Sequence, residues 1–123
     1  MASKYATIRN ITSGCILAEN ARIADTFVSR MIGLLRSPPL QPGEGLLIKP
    51  CSQIHMFGMA FGIDVVFFDK GWHVVGLAEG IAPGQISRFF PKAVSCLELP
   101  VGRIAQTKTG LGDHIECNLL PLT

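Results

Sequence analysis

The run Ile63-Asp64-Val65-Val66-Phe67-Phe68 constrains the fold more than any other part of the chain. At the two-residue period of a strand it puts Asp64, Val66 and Phe68 on one face and Ile63, Val65 and Phe67 on the other, so both faces are largely apolar. Such a segment reads as a buried strand, and it carries a carboxylate into the buried layer. An ionised carboxylate held away from water without a partner is costly, so a site or a structural ion pair near Asp64 is the expectation with the best physical motive.

The remaining elements follow from the same periodicities. Residues 5–11 and 15–23 are short apolar runs separated by Thr12-Ser13-Gly14, the composition of a hairpin. Over 26–36 the apolar residues Phe27, Met31, Leu34 and Leu35 recur at helical spacing, predicting one amphipathic helix with Asp25 as its N-cap. Pro38-Pro39 stops that helix. Strands are expected over 46–49, 52–57, 63–69, 72–79, 93–99 and 114–119, with a hairpin turn at Asp69-Lys70-Gly71-Trp72 and a short helical turn over 104–109 closed by Gly110. Residues 80–91 form a loop long for a mere connection. The fold class is therefore mainly β: a single-domain β-sandwich or jelly-roll-like barrel with one amphipathic helix packed against it.

A chain of 123 residues suits one core. Hydrophobic residues make up 48% and charged residues 16%, a lean surface that favours self-association or a partner, so a monomer and a homodimer both stay open. The basic residues are scattered and the net charge is only +2, which argues against nucleic acid as a partner. No apolar run is long enough for a membrane span, and the first residues lack the apolar region of a signal peptide. A cytoplasmic location is expected, unless an export leader precedes the chain. Cys15, Cys51, Cys96 and Cys117 form no C-x-x-C pair and read as four reduced thiols packed as small hydrophobes.

Glu98, between Leu97 and Leu99 and on the strand face of Cys96, repeats the problem of Asp64. Arg30, Arg36, Arg103 and His55 are the candidate partners. Arg30 stands out, because it lies beside the apolar stripe of the helix and can reach a strand carboxylate over its own stem. An Asp64–Arg30 tether fixing helix to sheet is the structural alternative to a ligand site made of the same groups. Cys51, His55, Met56 and Met59 together would suit Cu(I), but Met56 points away from His55 on a strand and no second histidine follows at ligand spacing. No metal and no cofactor are expected. Asp113, after Gly112, reads as a turn residue. No serine-nucleophile or phosphate-loop motif is present.

Several motifs together carry a family resemblance: Arg30-Met31-Ile32-Gly33-Leu34-Leu35, Ile54-His55-Met56-Phe57-Gly58-Met59, Ile63 to Asp69, Leu97-Glu98-Leu99-Pro100-Val101-Gly102 and Gly110-Leu111-Gly112-Asp113. In this order they resemble domain-of-unknown-function family 192, found in bacteria and archaea. The resemblance implies a small β domain of sandwich or jelly-roll type, assigns no activity, and marks Arg30, Gly33, Asp64, Glu98, Gly102 and Asp113 as the shared core of a site or scaffold. It also implies that relatives often carry an export signal. Gly62 stands where relatives tend to place proline, and Met56 where they tend to carry threonine.

The sequence thus points to a binding domain for a polar or anionic small molecule or a protein segment, held near Arg30, His55, Asp64 and Glu98. The loop with Arg88, Phe89 and Phe90 would be its lid or partner surface. A hydrolase or isomerase with Asp64 or Glu98 as base and His55 as acid is the enzymatic alternative, although no catalytic residue is assigned and a non-enzymatic role is preferred. A third reading is an assembly module working through Phe89-Phe90 and an exposed strand edge.

Overall fold

A computed structural model describes residues 4–26, 29–30, 34 and 38–121. Its strands are β1 (Tyr5–Asn10), β2 (Ile16–Ala24), β3 (Glu44–Ile48), β4 (Ile63–Phe68), β5 (Val74–Ile81), β6 (Ser95–Leu99) and β7 (Ile115–Leu119), with the short helix α1 (Arg103–Gln106) between the last two. They form one sheet in the order β5-β4-β6-β3-β2-β1-β7. The mainly β class is borne out, as a curled sheet that makes a half-barrel.

All neighbouring strands are antiparallel except β2 and β3, which run parallel from Asn20↔Glu44 to Ala24↔Ile48. A parallel pair cannot be joined by a tight turn, so the chain must travel back outside the sheet between them. The helical residues Ser29 and Arg30 lie on that crossover. Thr26 caps the segment: Ser29 N–H donates to Thr26 Oγ1 at 3.1 Å, Thr26 N–H donates to Ser29 Oγ at 3.0 Å, and Arg30 N–H reaches Thr26 O at 3.0 Å. This reciprocal capping moves the N-cap from Asp25, where the sequence suggested it, to Thr26. The rest of the expected 26–36 helix, including Gly33 and most of its apolar stripe, lies outside the described residues, apart from buried Leu34.

The curl brings the two edge strands together at one corner. Val74 N–H donates to Asp113 O at 2.9 Å, Gly112 N–H to Val74 O at 2.8 Å and Ile115 N–H to Trp72 O at 2.8 Å. Inside the curl lies one apolar core, fed by every strand and capped by Ile104 of α1; Val66, Phe68, Leu97 and Leu99 are at its centre. The outer face carries a second core around Leu46, Ile63, Val65, Phe67 and Cys96, covered by Ile54, Met56 and Leu34. Strand β4 is buried along its whole length because both of its faces belong to a core.

Two expected elements differ. Residues 52–57 do not join the sheet as a strand; they keep strand-like alternation, with Ile54 and Met56 inward and Gln53, His55 and Phe57 outward. Their backbone partners lie in the 80–91 loop: Met56 N–H donates to Gln85 O at 2.7 Å, Ser87 N–H to Ile54 O at 2.9 Å and Phe90 N–H to Ser52 O at 2.9 Å. Both segments spend their polar groups on each other, so neither needs a sheet edge. The helical turn after β6 covers Arg103–Gln106, and Lys108 at φ 54°, rather than Gly110, takes the left-handed conformation that follows it.

Candidate functional site

Strand β6 sets the floor of the site. Its alternation sends Leu97 and Leu99 into the inner core and Cys96 and Glu98 to the outer face. Beyond β3 the chain turns at Pro50 and is pinned where Cys51 N–H donates to Val94 O at 3.1 Å. The following residues, held by the 80–91 loop, form a wall standing above the outer face. Between wall, floor and crossover lies a cleft of about 670 Å³ lined by Arg30, Cys51, His55, Phe57 and Glu98 among apolar neighbours such as Leu34 and Ile48.

Glu98 is 7% exposed, and no hydrogen-bond partner meets its carboxyl among the described residues. Burial pushes its carboxyl up to about 7, only partly opposed by the positive charge of Arg22. Arg30, on the same cleft, has a buried Nε without a described hydrogen-bond partner, and no ion pair joins it to Glu98 among the described residues. His55 is exposed on the rim, its ring stacked on Phe57 at 4.9 Å, and its backbone bridges to Ile86.

Cys51 of the wall and Cys96 of the floor strand β6 meet with their sulfurs 2.8 Å apart, both as free thiols. The hydrogen bond from Cys96 lowers the Cys51 thiol below its ordinary value, and the charge of Arg30 adds to this. Burial pushes the Cys96 thiol well up. Cys51 is therefore the member that ionises and Cys96 the one that keeps its proton. Among the described residues no group of three or more His, Cys, Asp or Glu side chains converges to hold a metal ion.

Asp64 is elsewhere. It is 1% exposed, as its apolar surroundings demanded, but it belongs to the inner face of β4 and not to the cleft. Its Oδ1 accepts from Gly80 N–H at 2.8 Å, and its Oδ2 accepts from Gly102 N–H at 3.0 Å and Ile104 N–H at 3.0 Å. Three backbone donors do the work expected of a basic side chain, and the Asp64–Arg30 tether is not formed. With Asp64 and His55 on opposite sides of the sheet, the pairing of these two as base and acid has no geometry to work with. Glu98, Arg30 and His55 are the expected residues that the fold does bring together.

The 80–91 loop, expected as a lid or partner surface, backs the wall through its backbone bonds to residues 52–56. Phe90 packs into the outer core against Phe67 at 4.6 Å between ring centroids, over Gly76, where any Cβ would collide with its ring. Arg88 and Phe89 are exposed. Sequence reasoning missed the Cys51–Cys96 juxtaposition, for which no spacing motif exists. It also missed Asn10, fully buried, whose Nδ2 donates to Asp113 Oδ2 at 2.9 Å and Thr109 Oγ1 at 3.1 Å. Asp113 Oδ2 also accepts from Gly110 N–H at 2.9 Å, so its turn-forming role is as expected.

A family model for uncharacterised proteins, DUF192 (Uncharacterized ACR), matches residues 8–117. A UPF0127 protein of the archaeon Thermococcus sibiricus is 35% identical over 117 residues, covering 87% of this chain and 71% of its own. A UPF0127 protein of Pyrococcus horikoshii is 33% identical over 100 residues, covering 77% and 84% respectively. The crystal structure of a protein of unknown function from Novosphingobium aromaticivorans superposes with a TM-score of 0.78 at 21% identity, covering 91% of this chain and 83% of that one, which shows a shared fold.

Proposed function

The chain belongs to the DUF192 family of uncharacterised proteins, so its role has to be argued from its own cleft, and we propose that this cleft binds a small polar molecule bearing both an anionic group and a hydrogen-bond donor. The observation that carries the reading is Glu98, a nearly buried carboxyl that faces the cleft and finds no hydrogen-bond partner among the described residues. A hydrogen bond to a charged group largely withdrawn from water contributes about 1.5–3 kcal/mol, so a ligand donor placed against Glu98 gains more there than it would at an exposed carboxylate. Arg30, with its orphaned Nε on the same cleft, supplies the complementary charge for a carboxylate or similar anion. The apolar part of the lining, Leu34, Ile48, Ile54 and Met56 among it, provides contact area, as in most small-molecule sites. His55 and Phe57 form a stacked rim over which a planar or aliphatic part of the ligand can lie.

Free α-amino acids and short dicarboxylates are the probes that separate the two halves of this requirement, because both carry the anion and only the former adds a cationic donor. Thermal-shift and calorimetric titrations at pH 8, where Glu98 is largely ionised, are expected to favour the amino acids. Binding should weaken roughly tenfold in Glu98→Gln and Arg30→Gln, the loss of about one charge-assisted hydrogen bond each. Asp64→Asn, on the far side of the sheet, should leave the affinity unchanged. Equal affinity in the wild type and in both cleft variants would overturn the reading.

A further inference from the structure

We propose that Cys51 and Cys96 are a thiol–disulfide exchange couple built where the cleft wall meets its floor, with a low-molecular-weight disulfide such as oxidised glutathione as the reaction partner. Three features of the geometry support this. The sulfurs stand 2.8 Å apart, and closing them to the roughly 2.05 Å of a disulfide needs a displacement of well under an ångström. Both backbones are already held in place: Cys96 is paired with Ile48 in the β3–β6 ladder, and Cys51 is bonded to Val94, two residues before Cys96. Finally, the two thiols are unequal, because Cys51 is partly exposed on the cleft and Cys96 is fully buried beneath it.

That inequality assigns the roles. Exchange proceeds by attack of a thiolate on a disulfide sulfur, so the accessible, more acidic partner attacks and the buried one resolves. Cys51 Sγ, as thiolate, forms a bond to one sulfur of the small disulfide and breaks its S–S bond; the departing thiolate takes up the proton that Cys51 had released. Cys96 Sγ then attacks Cys51 Sγ, its proton passing to the second departing thiolate. One protein disulfide and two small thiols result, with the two protein thiols oxidised and the small disulfide reduced. The couple sits where wall and floor of the proposed ligand site meet but does not depend on that reading.

The test uses the full, reduced chain incubated with oxidised glutathione, alkylated and mapped by peptide mass spectrometry. Two of the four thiols should disappear into a Cys51–Cys96 cross-linked peptide, while Cys15 and Cys117 remain fully alkylated. Cys96→Ser should stop at the first step and retain one glutathione on Cys51. A Cys15→Ser/Cys117→Ser double variant should oxidise as far as the wild type. Four alkylated thiols after prolonged excess of the oxidant, a cross-link between other cysteines, or glutathione on Cys15 or Cys117 in place of Cys51 would overturn the proposal. None of these outcomes depends on Glu98 or on amino-acid binding, so the two readings fail separately.

Discussion

Glu98 gives the cleft a pH dependence whose sign follows from its surroundings. In the unfolded chain its carboxyl titrates near 4.5, and in the fold burial raises it to about 7. Between those values the folded state holds a proton that the unfolded state has released, so stability falls as pH rises through this window and stays at its lower value above it. Below about pH 4.5 both states are protonated and the group contributes no penalty. At 1.36 kcal/mol per unit the full loss is about 3 kcal/mol. Asp69, lowered mainly by the backbone N–H of His73, acts in the opposite direction, but only as pH falls below its ordinary value of 3.8, outside the window. Urea unfolding of the wild type and Glu98→Gln at pH 4.5, 6 and 8 should therefore show the variant gaining about 3 kcal/mol relative to the wild type across the series. Parallel stability curves would mean that Glu98 is as well solvated in the fold as out of it. The same protonation makes the cleft less anionic in mild acid, so amino-acid binding should weaken over the same range.

At the scale of elements, Asp64 is the joint between β4, the end of β5 and the start of α1. Its donors Gly80, Gly102 and Ile104 lie 16, 38 and 40 residues away in sequence, and Gly102 reaches it in the left-handed region at φ 93°. Asp64→Asn keeps the size but replaces one carboxylate oxygen with an amide that can only donate, so one donor of the triad must face another donor. A loss of about 1–3 kcal/mol in equilibrium unfolding is expected, with the folded spectrum retained; a change under about half a kcal/mol would show that these bonds count for little. This joint also marks the limit of what the sequence made legible. The apolar alternation of β4 announced a strand covered on both faces and a buried carboxylate within it, because side-chain type carries that signal. It could not announce the partner, since backbone N–H groups look alike in every residue. The 52–57 segment was misplaced for a related reason: its in-out alternation is real, yet its hydrogen bonds go to the 80–91 loop, whose composition gives no strand pattern. The shared face of Cys96 and Glu98 was legible from strand parity, whereas the approach of Cys51, 45 residues from Cys96, depends on how β3 and β6 pair.

For the molecule as a whole, β3 and β6 lie in the middle of the seven-stranded order, and the outer layer of 51–59 and 80–91 rests on them. The edges β5 and β7 are tied to each other at the corner made by Trp72, Val74 and residues 112–115, so the curl holds itself shut from inside. The outer layer has no comparable closure among the described residues; it is held by apolar contact, by bonds between its own two segments and, at one end, by the Cys51 N–H bond to Val94 O beside β6. A Cys51–Cys96 disulfide would fasten it to the central strands and would close a loop of 45 residues in the unfolded chain. In the chain-entropy account, closing a loop of this size removes enough unfolded-state freedom to stabilise the fold by about 4 kcal/mol when the native geometry is not distorted. For a domain of this size each kcal/mol moves the melting temperature by roughly 4 °C. The oxidised protein is therefore expected to melt about 16 °C above the reduced form. Amide exchange at Ile54 and Met56, which donate to Ser87 Oγ and Gln85 O, should slow in parallel, because they report the opening of the fastened layer. The Cys96→Ser variant should show neither change on oxidation. If the oxidised chain melted no higher than the reduced one, bond formation would be distorting the β3–β6 region by as much as it constrains the unfolded chain, and the pair could not serve as a clamp on the cleft.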